Sequence, residues 1–187
     1  MSVEWGSVAN WVSGIGSLTA SCVALFVAER NRQISLSGYV GKRVLIGGGF
    51  PKTNVLSISV TNLGTRAAKI TNVGFQCGRG KGKRVAIVSV GIRDPKFHWV
   101  ITDSIPKTLN DGESANWQIP LNESENWIDD LVDNQFVRSW LDVETLRFSV
   151  HTSHGKTKYI QPERSVREQL HDRIASYATE KNTGKSG

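Results

Sequence analysis

Cysteine is scarce in this chain. Two residues, Cys22 and Cys77, among 187 cannot build the disulfide framework of a small secreted domain or a four-thiolate zinc site. Five prolines against 18 glycines, with no triplet period, exclude collagen-like and low-complexity architectures. Hydrophobic residues at 39% and charged residues at 21% exclude a disordered chain, and the length suits one domain with appendages. Catalytic signatures are missing too. There is no Gly-x-Ser-x-Gly elbow, no Gly-x-x-x-x-Gly-Lys-Ser/Thr phosphate loop, and no histidine beside either cysteine. His98, His151, His154 and His171 have no carboxylate or thiol at ligand spacing. Asp129-Asp130 lacks a second acid at the spacing a glycosidase needs. The chain is therefore read as a non-enzyme, with no catalytic residue, no metal and no cofactor.

The most informative absence is of charge at one end. Positions 5 to 28 contain no Asp, Glu, Lys or Arg, and about 20 helical residues cross a bilayer core. Val23-Ala-Leu-Phe-Val-Ala28 is plainly apolar, and Trp5 and Trp11 suit the headgroup layer. A cleaved signal peptide wants cations before its apolar stretch. Here they follow it, as Arg30, Arg32, Lys42 and Arg43, and are read as a membrane-flanking basic set. The expectation is an anchor over 1–33, with the amino terminus outside and the rest in the cytoplasm. Gly16, Ala20 and Ala24 recur every four residues, with Ser13 and Ser17 on an adjoining stripe. Small faces let helices approach closely in lipid, so these residues are read as a helix-association face and the protein as a homo-oligomer.

Beyond position 37 the period falls from helical to two. Alternation over 55–61 and 69–75, with β-rich runs at 39–46, 84–92, 97–102, 114–121, 146–150 and 157–160, predicts seven or eight short strands. Glycine, Asn-Asp-Gly and Asp-Pro signals separate them. The fold class expected is mainly β: the N-terminal transmembrane helix, then an antiparallel sandwich over 37–161 with an inserted helix. Within that insertion Asn122 and Glu125 read as a capping box, and its acids as either a solvated face or a docking surface. A C-terminal amphipathic helix follows at 162–181, opened by a Ser165–Glu168 capping box. Its stripe of Val166, Leu170, Ile174 and Tyr177 either packs on the domain or coils with a neighbour. Residues 182–187 read as a disordered tail.

Ser57-Ile-Ser-Val-Thr-Asn-Leu-Gly64 and Ala67-Ala-Lys-Ile-Thr-Asn-Val-Gly-Phe75 resemble neighbouring strands of immunoglobulin-like domains in bacterial adhesion and surface proteins. Leu109-Asn-Asp-Gly-Glu-Ser114 is similar to a turn those domains use. The resemblance spans roughly 37–160 and implies an immunoglobulin-like sandwich with a binding or scaffolding role. Such modules are usually extracellular, whereas the flanking cations point inward. The whole layout resembles small uncharacterised bacterial single-pass membrane proteins with one anchor and one β domain.

Charge is uneven along the rest. Residues 29–100 hold thirteen Lys or Arg against two acids, and residues 101–187 ten against fourteen. Gly78-Arg-Gly-Lys-Gly-Lys-Arg84 concentrates Arg79, Lys81, Lys83 and Arg84 in one hairpin loop, read as an anion-binding loop. The functional expectation is a scaffold at the bacterial inner membrane. It contacts lipid through its anchor and a protein partner through its β domain, in a setting of stress or phage response. The alternatives are nucleic-acid or anionic-lipid binding through the 78–84 loop, and membrane disruption by clustered helices.

Overall fold

The computed structural model describes residues 5–31, 34–47, 50–88, 100, 102–121 and 126–183. Helix α1 runs Trp5–Asn31. Strands β1 (Leu36–Gly47), β2 (Phe50–Asn62), β3 (Ala68–Cys77) and β4 (Arg84–Ile87) follow, with a 3-10 turn at Gly80–Gly82 before β4. Then come β5 (Lys107–Leu109), β6 (Ser114–Leu121), helices α2 (Trp127–Asp133) and α3 (Trp140–Thr145), strands β7 (Arg147–Thr152) and β8 (Thr157–Ile160), and helix α4 (Arg164–Thr183).

Two antiparallel sheets form. One has the order β1-β2-β6. The other runs β4-β3-β7-β8, with β5 sharing the β4 side of β3. Alternation produces this arrangement, because side chains at every second position meet a common interior. Leu56, Ile58 and Val60 from the first sheet join Val73, Phe75, Phe148 and Val150 from the second in one buried cluster with Trp117. The Phe75 ring meets Trp127 and Phe136 edge-on at 5.2 and 4.7 Å, which seals α2 and its exit over the second sheet. Gly38 lets β8 approach β1, since a Cβ there would lie 2.7 Å from Ile160 Cδ1.

Among the described residues strand is about 39% and helix about 37%, so the class is mixed α/β rather than mainly β. Helices α1 and α4 are long and account for most of the difference. Strands β1 and β2 are longer than alternation predicted, because ladder pairing from Leu36↔Asn62 to Gly47↔Phe50 carries residues with no clear period. The expected strand over 84–92 ends at Ile87, with 89–92 outside the described residues; of the one at 97–102 only Val100 and Thr102 are described, and neither is in a strand; β5 was not foreseen.

The inserted helix is two short helices. Asn122, Glu125 and their capping box lie outside the described residues, and the cap on α2 is Asn126, whose side chain accepts from the Ile128 amide. A reciprocal box does open α3, between Ser139 and Asp142. Helix α4 begins before the expected Ser165 cap. Its first turn closes on the Glu163 carbonyl, while the Glu168 carboxylate takes Arg164 Nε at 2.6 Å. Val166 and Leu170 are buried and Ile174 and Tyr177 pack against the core, so the stripe is spent on the domain. The helix runs on to Thr183, through the start of the expected tail, and residues 184–187 lie outside the described set.

Among the described residues none of the core comes from α1. Removing residues 1–33 is therefore expected to shift the thermal midpoint of the remaining chain by less than about 2 °C, under ~1 kcal/mol. Leu170→Ala should instead cost about 3 kcal/mol. Thermal melts of both variants check this; loss of the cooperative transition on truncation would place α1 in the core.

Candidate functional site

From Val8 to Glu29 helix α1 is long and apolar enough to cross a membrane, with a mean hydropathy of 1.7, and none of that stretch is buried. A core helix of the same composition would be covered by its own domain. Here Trp11 is 72% exposed and Leu25 71%. Two of the hydroxyls that dilute the stretch are satisfied within the helix. Thr19 Oγ1 donates to the Ile15 carbonyl at 2.8 Å and Ser21 Oγ to that of Ser17 at 2.9 Å, so neither needs water as a partner. Ser13, Gly16, Ser17, Ala20 and Ala24 all lie on exposed helix. A Cβ added at Gly16 would meet nothing within 4 Å, so the isolated chain supplies no steric reason for glycine there.

The four cations read as membrane-flanking separate. Arg30 is in the last turn of α1, with its side chain outside the described residues, and Arg32 lies outside them altogether. Lys42 and Arg43 stand on β1, six and seven residues beyond its start, about 20 Å along the strand at ~3.3 Å per residue. There they hold α4. Lys42 Nζ donates to Gln169 Oε1 at 2.8 Å. Arg43 forks onto Glu163 at 2.8 and 2.6 Å, with its guanidinium 4.9 Å from the centre of the Tyr39 ring. That hydrogen-bonded guanidinium holds the Glu163 carboxyl below its ordinary range. The neighbouring backbone is tied as well, since the Glu163 amide donates to the Val40 carbonyl at 2.8 Å.

The basic loop also divides. Arg79, Lys81 and Lys83 are exposed, and among the described residues no hydrogen bond or ion pair engages their side chains. The turn beneath them is built. Gly78 has φ +84°, and a Cβ there would lie 2.5 Å from the Gly82 carbonyl oxygen, so only glycine fits. Its amide donates to Thr145 Oγ1 at 2.9 Å, and the Gly82 and Lys83 amides close back on Arg79 and Gly80.

Arg84 turns inward. One Nη lies 2.6 Å from Asp142 Oδ1 and 3.6 Å from Cys77 Sγ. Burial is the largest influence on Asp142 and pushes its carboxyl up. The Arg138 amide, the Arg84 guanidinium and Ser139 outweigh it, leaving the group below its ordinary range. Burial likewise pushes the Cys77 thiol up, which makes it a poor nucleophile.

Two cations that the sequence does not associate with this loop stand at the same end. The Arg138 amide donates to Asp142 Oδ2 at 2.9 Å and its Nε to the Gln135 carbonyl at 2.8 Å, while its side chain is exposed. Arg147 pairs across β3 with Gln76, beside the loop, and donates to the carbonyls of Glu144 and Leu146. Both are far from the loop in sequence, and only strand register and the α2–α3 link bring them close.

The loop and the point where the chain enters from α1 lie at opposite ends of the domain. The chain arrives from α1 at Leu36, which pairs with Asn62; the Asn62 side chain donates to the Leu109 carbonyl, and Leu109 pairs with Ala68. These four residues mark the proximal end. From Ala68, β3 runs the length of the domain to Cys77, nine steps or about 30 Å. The acids of α2 are occupied at its side. Asp129 accepts from Gln169 at 2.8 Å, and Asp133 takes both arms of Arg173 at 2.9 and 3.0 Å. Among the described residues no group of three His, Cys, Asp or Glu could hold a metal ion.

No protein-family model matches this chain, and no curated protein matches it. A solved structure titled "X-ray structure of Northeast Structural Genomics Consortium target SoR45" is similar at 12% identity over 69% of this chain and 83% of that one, with a TM-score of 0.29. A likeness that slight carries no argument about fold or function.

Asp142→Asn is expected to lower the unfolding free energy by about 2 kcal/mol in a urea titration, since it leaves Arg84 half-buried and unpaired. Asp103, Asp142 and Glu163 all have folded-state carboxyls below their ordinary range, Asp103 through the Asn116 amide and Lys107 in spite of its burial. The unfolded chain then takes up protons first as the medium is acidified. Stability is complete above the ordinary carboxylate range near ~4, and is lost as pH falls through it toward the folded values. Asn at 142 should flatten that acid limb. An acid limb identical to that of the unaltered protein would remove Asp142 from the argument.

Proposed function

We propose that this is a single-pass membrane protein that presents its β domain at the inner face of a bacterial inner membrane, where the domain engages a protein partner. The observation that carries the reading is the stretch Val8–Glu29 of α1, apolar and of spanning length, with its one charge at the end and none of it buried in the domain it precedes. In water that surface would cost about 25 cal/mol for each Å² of apolar area exposed. In lipid the same area, with the Thr19 and Ser21 hydroxyls bonded back to the helix, has no such cost. The cations that follow the helix, rather than precede it, favour a cytoplasmic domain. The two antiparallel sheets with a shared core support an immunoglobulin-like sandwich, a scaffold whose loops and edges commonly serve binding.

Self-association of α1 through Gly16, Ala20 and Ala24 belongs to the same reading. Close approach of a second helix would supply the steric reason for glycine at position 16, and clustering would multiply weak contacts between the domain and its partner.

Fractionation with reporters at both ends tests anchoring and orientation together. The full chain is expected in the high-speed membrane pellet, released by detergent but not by salt or carbonate. A carboxyl-terminal reporter that is active only in the cytoplasm should work, and the amino-terminal one should not. Recovery of the untreated chain in the supernatant would sink the anchoring, and reversed reporters would sink the orientation.

A further inference from the structure

We propose that the distal end of the domain is a nucleic-acid site that grips the phosphate backbone without reading bases. Arg79, Lys81 and Lys83 form its centre and Arg138 extends it. The loop from 78 to 84 contains no acid. The nearest carboxylate in its contacts, Asp142, is already taken by Arg84 and by the backbone amides of Arg138 and Ser139. Three cations therefore project with nothing in the described structure to neutralise them. The frame beneath them is fixed by Gly78 on Thr145 and by Arg84 on Asp142, so little backbone order is lost when a ligand arrives.

The chemistry of the loop selects among anions. It carries no apolar side chain, and a protein partner would need a buried aromatic or aliphatic anchor to bind well. A phosphate backbone needs only spaced positive charge, with release of its counterions as the driving force. A bilayer is the other phosphate source, and here position decides. The loop lies about 30 Å of strand from the end where the chain leaves α1, against a screening length of ~8 Å at physiological salt. That facing rests on the anchoring reading. The site itself rests on the loop alone.

The test uses the full chain in neutral detergent micelles, with a fluorescein-labelled DNA duplex of about 20 base pairs as probe and anisotropy as readout. With three to four phosphate contacts, log K should fall against log salt with a slope of about −2.7 to −3.6, roughly 40- to 150-fold between about 50 and 200 mM. Two duplexes of unrelated sequence should bind equally. Arg79→Glu/Lys81→Glu/Lys83→Glu should abolish binding, while Arg66→Glu/Lys69→Glu at the proximal end should change it less than about twofold. If the triple variant melts early, Lys81→Gln and Lys83→Gln singly should each reduce the slope by about one contact.

Three outcomes overturn the proposal: no binding at low salt, binding that survives the loop substitutions, or displacement of the duplex by phosphatidylglycerol vesicles but not by phosphatidylcholine ones. Because the assay is run in micelles, it holds whether or not α1 spans, and failure of either reading leaves the other standing.

Discussion

Helix α1 carries more apolar surface than its own domain covers, and the rest of the architecture follows from that imbalance. Leu18, Leu25 and Phe26 are each exposed, as is Trp11 at the start. A soluble domain normally turns such faces inward, because exposed contiguous apolar surface invites association. This one completes its core from two sheets and the helices α2, α3 and α4 instead, with Trp117, Phe148 and Leu170 fully enclosed. Helix and domain are thus separate solutions to burial, joined by a link at 32–35. Since consecutive residues reach no more than about 3.6 Å each, the proximal end of the domain stays within a short tether of the helix end.

That tether gives the domain a polarity. Strands β1 and β3 lead away from it, and β2 and β7 return. Helix α4 is then fastened alongside by paired charges rather than by its apolar stripe alone. Arg43 with Glu163 holds its start, and Asp133 with Arg173 its middle. Exposed pairs of this kind contribute little singly. Here they fix the direction in which Val166 and Leu170 enter the core, so their effect is on register more than on free energy.

What could be read from the sequence was whatever depends on neighbours along the chain. The long apolar helix was legible because length and lack of charge are local properties. Strands β2 and β3 were legible because Leu56, Ile58 and Val60, like Val73 and Phe75, alternate against polar residues. The stripe of α4 was legible for the same reason at a period near four. What stayed hidden depends on pairing across the fold. Arg84 read as one more loop cation, and only Asp142, brought up by the Ser139 cap of α3, turns it inward. Lys42 and Arg43 read as a flank of the span, because nothing nearby in sequence announces Glu163 or Gln169. Arg138 carried no signal at all, since its place beside the loop depends on how α2 leaves the sheet.

The uneven charge along the chain has its explanation in these pairings. Folding could have spent the acids of the second half on the cations of the first. It does so at Arg43 with Glu163 and at Arg84 with Asp142. Elsewhere the acids of the second half hold cations of their own half: Asp103 with Lys107, Glu144 with Arg167, Glu168 with Arg164, and Asp133 and Glu180 with Arg173. Among the described residues cations of the middle are therefore left over, and the strand directions carry three of them to the distal end. A surplus that survives folding and is concentrated on one acid-free loop is a local field, not an average property of the chain. At physiological ionic strength such a field acts over about 8 Å, so its ligand has to come to the loop, at the end of the domain farthest along β3 from the point where α1 joins it.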